Sequence, residues 1–488
     1  MPRIAIAAPS PFCARLGADI AEQGGSAVDI LVGVSLAATV SEPGVCCPGA
    51  GGFLTIGGPG VNPVTIDGYL AVPGLGHPDS ASRTSHRVTM EYGAGTITEV
   101  GAGSVAVPGS IAAFHSAWSR WGRMPWEDLL IHVADAVDSG FPMSSAADRY
   151  LAAGGDLIYT RDQRVADVLF PGGVQLRTGE SVVIPGLGAS LRQIGVEGPA
   201  TLYGGELGRM VVDGLASDGG IMTLRDLADY QAQDRPSLTG RFLGWEFATN
   251  PPPAIGGVTL TAILEHIEGS PLDPNSWVRA QELVFGLRRR LLDNSADRVD
   301  GAARLLAASR SASTVATAVA SDDGWVAAAT MSAGYGSGVS PGETGMWMNN
   351  SLGELELNRR SQDEWTAGER LPSNMAPTVL RSGNGRRVAI SSPGADRITS
   401  AIAITIALLV AGDGDLVLAV EHPRVHLQFD ESGSMVAVEH GLEVETDLEV
   451  RHHEPHDMYF GGVVAAAIDP VEAHADSRRA GGVLIIEV

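Results

Sequence analysis

One stretch limits the architecture more than any other. Residues 314–332 read TVATAVA, then the turn SDDG, then WVAAATMS. Small and β-branched residues on both arms of an Asp-Gly turn specify a β-hairpin. A loop of two or three residues centred on Asp322 and Asp323 sets Thr314 opposite residues 331–333, with Ser332 beside its hydroxyl. Threonine is a weak nucleophile until a base takes its proton. A cut just before the residue makes its own new α-amine that base. Read alone, Thr314 is either such a nucleophile or a β-former opening a strand.

Upstream the pattern is helical. GGSAVDILVGVSLAATVSEPG carries apolar residues nearly all round, as a buried helix does, and Glu42, Pro43 and Gly44 stop it. VPGSIAAFHSAWSRWGRMPWEDLLIHVADAVDSG divides into two amphipathic helices at residues 122–125. Thr223 caps a short helix over residues 223–231. Trp277, Val284, Leu287 and Leu291 share the spacing of one helix. The longest apolar run, residues 398–411, is too short to span a bilayer and reads as a buried helix. It follows SSPGADR, where a tight turn at Pro393, Gly394 and Ala395 feeds a helix with Asp396 near its N-cap. Backbone N–H groups at such a turn suit a developing oxyanion; an ordinary capped helix reads the same way. Helices mostly before residue 300 and strands mostly after it indicate an α+β fold, with stacked sheets covered by helices.

Charge and missing residue types exclude several functions. The net charge of −24 disfavours nucleic acid and anionic membrane as partners. The chain has no lysine, so a Schiff base, a Ser-Lys dyad and a P-loop are all excluded. Cys13, Cys46 and Cys47 do not make a disulfide framework, and Cys46 and Cys47 read as small buried hydrophobes. RHHEPHD gathers His452, His453 and His456 with Glu454 and Asp457, but Pro455 breaks any helical register between His453 and His456. No metal and no cofactor are expected. GYGSGVSPG lacks the strand–glycine–helix context of a dinucleotide site. The start, MPRIAIAAPSPF, lacks the pattern of an export signal, so the expected compartment is the cytoplasm.

Taken in order, QGGSAVDILVGVSLAATVSEPG, LYGGELGRMVVDGLASDGGIMTLRDLADYQ, PPPAIGGVTL, STVATAVASDDG, GSGVSPGETGMWMNN, LPSNMAPTV, SSPGADRITS and ADSRRAGG resemble the gamma-glutamyltranspeptidase family across nearly the whole chain. The resemblance implies an N-terminal-nucleophile hydrolase with a four-layer αββα sandwich. It implies self-cleavage between Ser313 and Thr314, giving a large subunit 1–313 and a small subunit 314–488 interleaved in one domain. Thr314 is then the nucleophile, and Ser332 falls where the family keeps a threonine that contacts it. Gly394 and Ala395 fall where the family keeps two oxyanion-hole glycines. If the second position needs φ > 0, alanine is strained there by about 1 kcal/mol.

The substrate-binding positions depart from the family. The arginine that grips the glutamyl α-carboxylate is Tyr69 here. An asparagine on the second hairpin strand falls at Gly334, and the acid that holds the α-amine falls at Glu354. Of two serines on the carboxylate, Ser373 remains and the second is Asn374. The histidine two positions after the nucleophile is Ala316. Losing an arginine–carboxylate fork removes a bidentate contact, so the glutamyl pocket is expected to have been rebuilt.

The reading that follows is a self-processing threonine hydrolase for a non-standard acyl or ketone substrate. One branch of such enzymes hydrolyses a carbon–carbon bond in actinomycete 4-alkylproline-type antibiotic biosynthesis. A gamma-glutamyl transferase or glutathione hydrolase, and a glutaryl-type side-chain acylase, are the enzymatic alternatives. An uncut, inactive scaffold subunit is the alternative of another class. Expected partners are a small-molecule substrate and the two processed subunits for each other.

Overall fold

A computed structural model describes residues 2–77, 83–91, 95–291, 315–355, 365–412, 414–429 and 433–488. Two antiparallel sheets form its centre. The first has seven strands in the order Gly482–Glu487, Arg3–Ala8, Val315–Ser321, Val326–Ser332, Gly51–Gly58, Val61–Gly68 and Gln233–Pro236. The second has six, in the order Glu472–Ala475, Val464–Ile468, Arg387–Ser391, Thr378–Arg381, Trp245–Thr249 and Leu238–Phe242.

The sheets face each other through small side chains. Ala5, Ala7, Ala316, Ala318, Ala320 and Ala328 of the first sheet meet Val379, Ala389, Val464 and Ala466 of the second. The alternation of small inward residues with larger outward ones lets the sheets stack closely. Outward residues of the first sheet, such as Val315, Val319 and Met331, pack under a helical layer that includes Ala27–Ser41. That helix is buried on every side and is closed by a capping box between Ser26 and Asp29. Outward residues of the second sheet, such as Val388 and Ile390, pack under Gly256–Ile267 and Ile398–Ala411. The order of layers is therefore helix, sheet, sheet, helix, the αββα sandwich.

Most elements read from the sequence are present. Helices occupy Ser110–Trp121, Trp126–Asp138 and Pro274–Leu291. Thr223 caps Leu224–Ala228. One expectation changes. Six of the thirteen strands in these sheets precede residue 300, so both sheets are built from both halves of the chain. Asp396 lies near the N-cap of the long apolar helix, as expected, one residue before Arg397. A single 3-10 turn, Ala395–Arg397, leads into that helix, and the Asp396 carboxylate meets the Arg397 guanidinium and lies 3.6 Å from His426. Among the described residues, no helix is long and apolar enough to cross a membrane.

Candidate active site

The hairpin has the register its turn chemistry dictates. Val315 pairs with Met331, Ala316 with Thr330, and Ala320 with Val326. Gly324, at φ +99°, closes the turn by donating to the Ser321 carbonyl at 2.8 Å. Ser313 and Thr314 lie outside the described residues. Ser332 is buried at the end of its strand, where its Oγ accepts the Gly334 N–H at 3.0 Å.

The turn at residues 393–395 belongs to the same end of the sandwich. It continues the strand Arg387–Ser391, and Pro393 shares a small cavity with Val315 and Ala316. Gly394 has φ +133°, and a Cβ there would lie 2.6 Å from the Gly461 Cα, so only glycine fits. Ala395 has φ +54°, the left-handed region in which an L-residue is strained. The strain expected from the sequence is therefore present in the fold.

Tyr69, Gly334, Glu354 and Ser373, all expected pocket residues, lie close together. Tyr69 is buried and stacks on Phe53 with ring centroids 5.5 Å apart, and Ser373, Ser351 and Glu354 lie near its hydroxyl. Burial, then the nearby Glu354 charge, hold that hydroxyl well above the ordinary tyrosine pKa. The Tyr69 carbonyl accepts from the Tyr230 hydroxyl at 2.6 Å and from Arg370 at 2.8 Å, which fixes the backbone behind the ring. Gly334, at φ +64°, abuts the same group: a Cβ there would lie 2.4 Å from Asn350 Oδ1 and 2.9 Å from Glu354 Oε1. Ser332, Gly334, Glu354, Tyr69 and Ser373 thus lie close together between the hairpin end and an apolar cluster of Phe53, Leu352, Leu371 and Met375. Asn374 is buried beside Ser373, with neither side-chain amide atom hydrogen-bonded.

Nothing in the sequence singles out Ser351 or Phe53. Ser351 sits three residues before Glu354 in NNSLGELELN, and only the folded loop turns it toward Tyr69.

Cys46 and Cys47 are buried, and burial pushes both thiols well above their ordinary pKa, which makes them poor nucleophiles. His453 stacks on Tyr459 at 4.6 Å and bonds Asp457 at 2.8 Å, while His456 bonds Ser477 at 2.8 Å. Among the described residues, no cluster of histidine, cysteine and carboxylate could hold a metal.

The sequence profile of the gamma-glutamyltranspeptidase family matches residues 13–308 and 280–486. The chain belongs to that family. As a gamma-glutamyltranspeptidase-family protein it is an enzyme of the N-terminal-nucleophile hydrolase type. It is 29% identical to the Acylase ACY 1 proenzyme of Pseudomonas sp. (strain SE83), over 94% of this chain and 89% of that one. It is 25% identical to the Glutathione hydrolase proenzyme of Bacillus subtilis (strain 168), over 86% of this chain and 80% of that one. Cephalosporin acylase from Bacillus halodurans has the same fold, with a TM-score of 0.77 at 20% identity, over 99% of this chain and 96% of that one.

Proposed function

We propose that this family member cuts itself between Ser313 and Thr314 and uses Thr314 to hydrolyse an acyl or ketone substrate that lacks the γ-glutamyl α-carboxylate. The observation that carries the substrate half is the buried Tyr69 ring, stacked on Phe53 with Ser373 near its hydroxyl. Where the family holds a carboxylate between an arginine and a serine, this chain fills the arginine's place with a buried, uncharged ring. An incoming carboxylate would find no cation at Tyr69 and would lose its hydration in a buried site. The match to an acylase over nearly the full chain supports the same reading.

The catalytic half rests on the hairpin. Val315 pairs with Met331, and Ser332 follows at the end of the second arm. In this reading the α-amine of Thr314 takes the hydroxyl proton as Oγ bonds to the substrate carbonyl carbon. The turn N–H groups at Gly394 and Ala395 stabilise the oxyanion. The scissile bond then breaks, and its leaving nitrogen or carbon receives the proton. Water hydrolyses the resulting threonyl ester and regenerates the hydroxyl. A leaving carbon next to a ketone corresponds to the carbon–carbon hydrolysis of 4-alkylproline-type biosynthesis, and a leaving nitrogen to a side-chain acylase.

Denaturing electrophoresis and one assay test both halves. Purified protein should give two bands, and Thr314→Ala should stay one chain of 50.6 kDa. A Thr314→Ala protein that still divides at residue 313 would refute the nucleophile. Turnover of a γ-glutamyl anilide within tenfold of glutathione hydrolases would refute the rebuilt pocket.

A further inference from the structure

We propose that the mouth between the two sheets at the end away from Ser332 is a second binding site, and that it takes an amphipathic carboxylate. Its anionic head would sit on Arg381 and Arg387, and its apolar body between the sheets.

The site follows from strand register. Arg241, Glu246, Arg381 and Arg387 are direct partners across four neighbouring strands of the second sheet: Arg241 opposite Glu246, Glu246 opposite Arg381, and Arg381 opposite Arg387. Direct partners share a face, and residues two apart on a strand share it too. Ala248, Val379 and Ala389, two residues along from Glu246, Arg381 and Arg387, belong to the core between the sheets. The charged row is therefore the outer end of the face that looks toward the other sheet. A cavity of about 480 Å³ opens there, walled by Ala248, Val379 and Val326.

The row is electrostatically unbalanced. Glu246 is the one carboxylate among the described residues lining the cavity, and Arg241 engages it at 2.7 Å. Arg381 and Arg387 are left opposite each other, an arrangement of like charges that destabilises a sheet. Arg387 contributes one N–H to the Gly324 carbonyl, which does not neutralise it. A chain with 57 acidic and 33 basic residues could have supplied a second acid to this row and does not. A bound anion between the two guanidinium groups removes the repulsion, and a carboxylate matches their fork geometry. The apolar walls behind them select an anion with a hydrocarbon body over a bare ion. Gly57 keeps the space open. A Cβ there would meet nothing closer than 3.7 Å, so a side chain could enter the cavity without straining the strand.

Isothermal titration of the purified protein with sodium decanoate, below its micelle concentration, tests the site. Inorganic phosphate and 1-decanol are the comparators. Decanoate should saturate one site with a Kd below about 1 mM, and both comparators should bind at least tenfold more weakly. Arg381→Glu, at an exposed position, should weaken decanoate at least tenfold. Gly57→Leu should abolish its binding by filling the cavity. Thermal melts of both variants check that the fold is intact. Absence of saturable decanoate binding to the parent protein overturns the proposal. Affinity unchanged in Arg381→Glu, or phosphate or decanol binding as tightly as decanoate, overturns it equally.

Discussion

The hydroxyls of Thr330 and Ser391 stand 2.7 Å apart across the gap between the two sheets. Ser391 gives its own proton to the Ala329 carbonyl at 3.0 Å, so Thr330 is the donor to Ser391. Both residues are fully buried. This bond ties the hairpin arm that carries Ser332 to the strand that runs into the turn at residues 393–395. Thr330→Val keeps the side-chain shape and removes the donor. It should cost about 1–2 kcal/mol in chemical denaturation. It should also lower kcat more than it changes KM, because the turn and the hairpin lose their mutual register.

In the proposed reading, Tyr69 limits what the pocket can hold. Tyr69→Arg restores a cation where the family grips a carboxylate, beside Ser373 and Glu354. Turnover of a γ-glutamyl anilide should rise at least tenfold in kcat/KM, the scale of one charge-assisted contact. No rise in a variant that melts normally would mean that the pocket differs from the family's by more than this residue.

Ala395 stores backbone strain. Replacing it with glycine relieves the left-handed conformation at φ +54° but adds freedom to the unfolded chain. The net expectation is a gain of up to about 1 kcal/mol in denaturant unfolding, with kcat preserved. A loss of stability would show that the alanine methyl makes packing contacts worth more than the strain.

Glu42 sets a pH dependence. It is buried, with one carboxylate oxygen bonded to Ser144 and the other without a partner. Burial raises its pKa from the ordinary 4.5 to about 8, against smaller opposing contributions from Ser144 and Arg479. The folded state therefore keeps a proton that the unfolded state loses, and stability falls as pH rises from about 4.5 to about 8. The loss is up to about 5 kcal/mol at 1.36 kcal/mol per pKa unit. Glu42→Gln, which cannot ionise, should match the parent at pH 4.5 and melt at a higher temperature at pH 8. Equal melting at both pH values would mean that the carboxyl is ionised in the fold.

The chain's local chemistry determined a good deal by itself. The Asp-Gly turn and the small and β-branched arms marked the hairpin and narrowed the partner of its first residue to residues 331–333, because turn length limits the pairing. The all-round apolar runs at residues 27–41 and 398–411 marked two buried helices, since no exposed face could carry them. The tertiary structure alone decided the order of the strands. Arg3–Ala8 lies between the hairpin and the C-terminal strand, and the second sheet takes its inner strands from residues far apart in the chain. Nor could local pattern bring Tyr69, Gly334, Ser351, Glu354 and Ser373 into one cluster, or set Arg381 opposite Arg387. Those contacts join segments from separate parts of the chain. They form only when both sheets bury their small-residue faces against each other, an energy that no short window of sequence contains.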